Sequence, residues 1–194
     1  MLNQILFPIF VPLLLATGSA VGPVHATPAY VANTSAEMRL EVVRSERVVH
    51  VYLDDRRVAT HEVAVGQEDH RTPSGEWAIH RVDWNPDWTP PDSEWSEDSE
   101  YKEPGDPDNP MGRARLVFDP PYSIHGTDAL DSLGTAASHG SIRVSNEAAI
   151  ELGEMIMRYG GADRDGAWLQ RVLDDPTTMY EVPIPEPVTI IIRD

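Results

Sequence analysis

Apolar and polar positions alternate from Met38 onward. Met38–Val43 and 47–53 place valine or leucine at every second position, and 58–65 is again valine-rich, with charged turns between them. A period of two between turn signals predicts a meander of strands. Gly66 ends the third strand. Thr72-Pro73-Ser74-Gly75 reads as a turn, and alternation resumes over 76–82, 115–118 and 122–125. The period then changes. Ser145 or Asn146 is placed as an N-cap. Ala149, Leu152, Ile156 and Tyr159 follow at helical spacing until Gly160-Gly161, which predicts a helix over Asn146–Tyr159. Residues 163–173 predict a second short helix with Trp168, Leu169 and Val172 on its apolar side. Residues 187–192 predict a closing strand. The pattern predicts a β-rich α+β domain, a sandwich or open barrel of roughly seven to nine short mixed strands. Ala149, Leu152 and Ile156 are expected to face the sheet.

Two segments break the pattern. Residues 83–110 carry six prolines, ten acids and the tryptophans Trp84, Trp88 and Trp95. Proline this dense forbids a long helix or central strand. The segment reads either as a solvated loop or as a lid offering its tryptophans to a ligand. Its acids are expected to repel one another at low salt and to settle as screening increases. The first 26 residues contain no Asp, Glu, Lys or Arg, and small residues follow an apolar run. They read as a signal peptide, 27–37 as a short linker and 38–194 as the folded domain. The expectation is export to the periplasm or cell envelope. Pro8 and Pro12 interrupt the apolar run, so no stable span is expected after cleavage.

Composition narrows the chemistry. The chain of 194 residues has no cysteine, which removes disulfides, thiolate metal sites and cysteine nucleophiles. Its formal net charge of −17 repels phosphate backbones and argues against nucleic-acid binding. One base is lysine, Lys102, and the other 14 are arginine. Such an acid excess fits either a high-salt environment or a generic acidic secreted protein.

Candidate chemistry concentrates in Ile124-His125-Gly126-Thr127 and Ser138-His139-Gly140-Ser141-Ile142-Arg143. A serine hydroxyl becomes a useful nucleophile when a histidine accepts its proton. In an extended 138–144, His139 and Ser141 share a face, making His139 one candidate base. Gly140 permits close backbone approach, and neighbouring amides are candidates to hold an oxyanion. His125, His139 and Asp128 make a minimal metal set, but no metal-binding spacing supports it. Neither metal nor cofactor is expected.

These two blocks, in this order and spacing, resemble the catalytic domain of the L,D-transpeptidases, which cross-link bacterial peptidoglycan. The resemblance extends over most of the chain from Met38. It takes in Thr72-Pro73-Ser74-Gly75, Asn85-Pro86-Asp87-Trp88-Thr89-Pro90-Pro91 and Asn109-Pro110-Met111-Gly112. It implies a secreted β-rich acyltransferase with a cleft for peptidoglycan stem peptides, expected to act as a monomer. The residue after Ser-His-Gly is cysteine in the family; here it is Ser141. The resemblance makes His125 the base, with the Gly126 carbonyl orienting its ring, and His139 a support. Arg143 is expected to meet a substrate carboxylate or anchor the site, with Trp88, Thr127 and Ser138 as further substrate contacts. A peptidoglycan-binding domain silenced by loss of the thiol, naturally or by replacement, is the other reading.

Overall fold

The computed structural model describes residues 36–194; the signal-peptide reading and most of the linker lie outside the described residues. Ten strands and two helices follow in chain order. The strands are β1 (Met38–Val43), β2 (Val48–Leu53), β3 (Arg56–Glu62), β4 (Val65–Gly66), β5 (Gly75–Trp84), β6 (Ala114–Asp119), β7 (Tyr122–Thr127), β8 (Ala136–Ser138), β9 (Ile142–Ser145) and β10 (Tyr180–Arg193). Helices α1 (Asn146–Tyr159) and α2 (Gly166–Asp174) separate β9 from β10.

Eight strands form one sheet in the order β3-β2-β1-β10-β5-β6-β7-β9, and β4 pairs with β8 alone. The sheet is mixed, because β1 with β10 and β7 with β9 run parallel. Beyond β3, Ala64 exchanges two 2.9 Å backbone hydrogen bonds with Arg143 of β9. That bridge brings the two edges together and makes the sheet a nearly closed barrel.

Helix α1 begins where expected. The Ser145 hydroxyl accepts from the Ala148 amide at 3.1 Å, satisfying one of the unpaired donors of the first turn. Ala149, Leu152 and Ile156 are fully buried against the sheet. Gly153 brings the helix close to β5, where an added Cβ would stand 3.2 Å from the Trp84 ring. Trp84 therefore belongs to the core and not to a ligand-facing lid. It continues the alternation of β5, is fully buried, donates its indole N–H to Met157 Sδ, and meets Trp168 of α2 edge-on.

Asp83, expected among the loop acids, is likewise a fully buried strand residue. Its carboxylate lies 2.7 Å from Arg81 Nε and 2.9 Å from Arg115 Nε. The closing strand β10 starts earlier than expected. Its registry with β5 shifts between Pro183 and Val188, so the prolines fall where the ladder is already broken.

Candidate active site

Strands β6, β7 and β9 carry the candidate site on adjacent positions. His125 of β7 is in register with Arg115 of β6 on one side and with Arg143 of β9 on the other. All three open on a cleft of about 400 Å³ that Ser138, His139 and Ser141 also line. Trp88, Trp95 and Asp92 from the proline-rich segment form the opposite wall.

The ring of His125 is buried, with 3% of its surface exposed. Its Nδ1 lies 2.8 Å from the Gly126 carbonyl. A carbonyl only accepts, so this bond holds the proton on Nδ1 and leaves Nε2 with its basic lone pair. Burial pushes the imidazole pKa down to about 4; the Gly126 and Pro110 carbonyls oppose that, and the two flanking guanidiniums reinforce it. His125 is thus neutral at pH 7.

The flanking arginines differ. Arg115 is neutralised by Asp83, with the Asp87 carboxylate 3.6 Å away. Among the described residues no carboxylate lies within salt-bridge distance of Arg143, and burial lowers its pKa. An unpaired guanidinium in a cleft is a receptor for an anion, above all a carboxylate that its fork matches.

Ser141 lies in a turn, not in an extended strand, because β8 ends at Ser138 and Gly140 has φ +111°. An added Cβ at Gly140 would sit 2.5 Å from the Tyr122 ring. The Ser141 hydroxyl accepts from the Ser123 amide at 3.3 Å. The Ser138 hydroxyl braces the turn, accepting from the Gly140 amide and donating to the Ser141 carbonyl. The Gly140 amide is therefore engaged inside the turn, which leaves the Ser141 amide as the candidate oxyanion donor.

The turn also breaks the face that His139 and Ser141 would share in an extended segment. His139 instead stacks flat on Trp95, with centroids 4.0 Å apart and planes 6° from parallel, and meets His70 edge-on. Burial lowers its pKa, and His70 and Arg143 add to the effect.

The structure brings Ser141, His125, His139, Ser138, Arg143 and Trp88 to one cleft. Gly126 and Gly140 serve through their backbones. Thr127 is not among the lining residues: it is buried, and its hydroxyl accepts from the Ala129 amide.

Thr72 is the residue that sequence reasoning treated only as part of a turn. It is buried; its hydroxyl accepts from Gly66 N and donates to the Gly140 carbonyl, each at 2.8 Å. A Thr-Pro turn far along the chain gave no signal of that contact. Among the described residues no group of three or more His, Cys, Asp or Glu is placed to hold a metal ion.

A mixed, nearly closed sheet thus sets a His-Gly block beside a Ser-His-Gly-Ser turn on one cleft. The L,D-transpeptidase catalytic domain family (YkuD) matches residues 37–183, and the chain belongs to it. YqjB of Bacillus subtilis, an L,D-transpeptidase homologue, is 32% identical over 112 residues, covering 55% of this chain and 58% of YqjB. ErfK/SrfK of Escherichia coli, another such homologue, is 31% identical over 113 residues, covering 54% of this chain and 36% of its own length. The matches therefore span little more than half of one relative and about a third of the other.

Among solved structures, an L,D-transpeptidase from Mycobacterium smegmatis superposes with a TM-score of 0.54 at 16% identity, covering 82% of this chain and 59% of that one. L,D-transpeptidase 3 from Mycobacterium tuberculosis gives 0.54 at 14% identity, covering 82% and 62%. At these identities the likeness is one of fold.

Proposed function

We propose that the protein is a cell-envelope acyltransferase that uses Ser141 on peptidoglycan stem tetrapeptides. The observation that carries this reading is the placement of Ser141, His125 and the unpaired Arg143 on one cleft. Arg143 receives a carboxylate of the stem peptide and sets the carbonyl before the terminal D-alanine against Ser141. Nε2 of neutral His125 takes the hydroxyl proton as Oγ bonds to that carbonyl. The Ser141 amide stabilises the oxyanion. Collapse of the tetrahedral intermediate expels D-alanine, whose amine takes the proton from His125. An acceptor amine, deprotonated by His125, then attacks the Ser141 ester, releasing the cross-linked peptide and restoring the hydroxyl. This reading carries with it export across the membrane, which the absence of charge in the first 26 residues supports.

Two features limit the rate. Burial and two guanidiniums disfavour the imidazolium that a serine mechanism forms in passing, and the Ser141 hydroxyl rests on Ser123 rather than on His125. Both favour a second reading, a silent peptidoglycan-binding domain. A thiol, which ionises far more readily, asks less of the base.

D-Alanine release from purified muropeptides decides between them. The acyltransferase reading expects release by the protein as it stands and none from Ser141→Ala. Release that appears only in Ser141→Cys establishes the silent domain instead.

A further inference from the structure

We propose a second ligand site, separate from the cleft, in which Arg44, Arg47 and Arg71 bind an oxyanion, a carboxylate or a phosphate group. A pocket of about 260 Å³ opens between the β1–β2 turn and the segment that runs from β4 to Thr72. It shares no lining residue with the catalytic cleft. Three arginines line it, beside Glu68 and Asp194, on a chain whose net charge is −17.

The pocket already holds a carboxylate of the chain itself, with Asp194 Oδ1 2.6 Å from Arg44 Nη2. The other two cations are less well matched. Arg71 has Glu68 at 3.8 Å, with both side chains largely exposed. Arg47 has no carboxylate within salt-bridge distance among the described residues, and its Nη1 donates to the Arg44 carbonyl. The Nε atoms of Arg44 and Arg47 are buried with no acceptor among the described residues. An oxyanion seated between the guanidinium forks gains charge-assisted bonds from their Nη groups.

The site also touches the reaction centre from behind. Arg44 Nη1 donates to the Thr72 carbonyl, and the Thr72 hydroxyl donates to the carbonyl of Gly140, the residue before Ser141. An anion that pulls on Arg44 pulls on the support of the nucleophile turn. This coupling rests on the acyltransferase reading; the binding does not.

The test is thermal unfolding of the full chain with inorganic phosphate, with citrate, and with sodium chloride at matched ionic strength. The expected result is a saturable rise in Tm with phosphate or citrate beyond the chloride response, since a ligand for the folded state stabilises by mass action. The two arms separate a phosphate ligand from a carboxylate one. Arg47→Gln and Arg71→Gln are each expected to weaken the apparent affinity by about 10-fold, the loss of one charge-assisted bond. Arg71 has a side chain 70% exposed, so its variant folds even if Arg47→Gln does not. A response no larger than that of chloride, or one that survives Arg71→Gln unchanged, overturns the site. No turnover is measured, so failure of the acyl-transfer reading leaves this result interpretable.

Discussion

Thr72 holds Gly140 in place across 68 residues of chain: its hydroxyl donates to the Gly140 carbonyl while accepting from the Gly66 amide. Thr72→Val keeps the shape and removes both bonds. The buried amide and carbonyl are left unpaired, at a cost of about 1–3 kcal/mol in unfolding free energy. On the acyltransferase reading the Ser141 turn loses its brace, and kcat for D-alanine release is expected to fall more than KM rises. Thr72→Ser restores both. Denaturant titration and steady-state kinetics on the two variants check this.

His125 makes stability depend on pH. Its folded pKa, near 4, lies below the ordinary histidine value, so between the two the unfolded chain binds the extra proton. The contribution is complete above about pH 6.5, is lost as pH falls toward 4, and amounts to about 3 kcal/mol. His125→Gln should therefore show a shallower fall in unfolding free energy over that interval than the parent. Comparing urea titrations at pH 7 and pH 4.5 for the two proteins measures it. An unchanged slope would mean that His125 is not buried as a neutral base.

The proline-rich wall of the cleft is held by specific contacts. Trp88 and Lys102 exchange two 2.9 Å backbone bonds, buried Ser96 bonds back to Ser93, and Trp95 lies on His139. Screening is therefore expected to change this wall little, contrary to the expectation from its acids alone. The emission attributable to Trp95, taken as the difference from Trp95→Phe, should be flat between 0.1 and 1 M sodium chloride, where the Debye length falls from about 10 to about 3 Å. A salt-dependent shift in that difference would favour acid repulsion.

Asn85 joins β5 to the end of α2. Its two amide N–H groups are shared among the carbonyls of Val172, Asp175 and Thr178, and its oxygen accepts from Arg113 Nε. The backbone there has φ 46°, which asparagine tolerates better than most residues. Asn85→Ala is expected to cost about 2–4 kcal/mol through unpaired buried carbonyls and backbone strain. Asn85→Asp keeps the fold's φ but loses the donors, so it should be no better. Thermal melts of both variants provide the measurement.

What the sequence made legible was local. The span of α1 follows from Ser145 and the spacing of Ala149, Leu152 and Ile156, because cap and period are written in neighbouring residues. The pairing of the His-Gly and Ser-His-Gly-Ser blocks was legible as a motif. Contacts across the fold were not. Trp84 looked like part of a polar segment because its core partners, Met157 and Trp168, lie far along the chain. His139 seemed to share a face with Ser141 because alternation assumes extended backbone, and the left-handed φ of Gly140 reverses the direction. The prolines hid the first half of β10, since a broken ladder tolerates what a regular one forbids.

The backbone bridge between Ala64 and Arg143 bears on how the candidate site is assembled. Strand β9 is anchored on one side by β7, nearby in sequence, but on the other by residues almost eighty positions earlier. A chain emerging from the ribosome makes the β1–β3 meander first, and Ala64 just beyond it waits for its backbone partner until β9 arrives. Docking such distant partners is slow relative to forming a helix or hairpin. The geometry at Arg143 thus matures only once both partners are in place, and a fragment beginning at Val65 would carry every residue of the Ser-His-Gly-Ser block yet leave Arg143 without one of its two anchors.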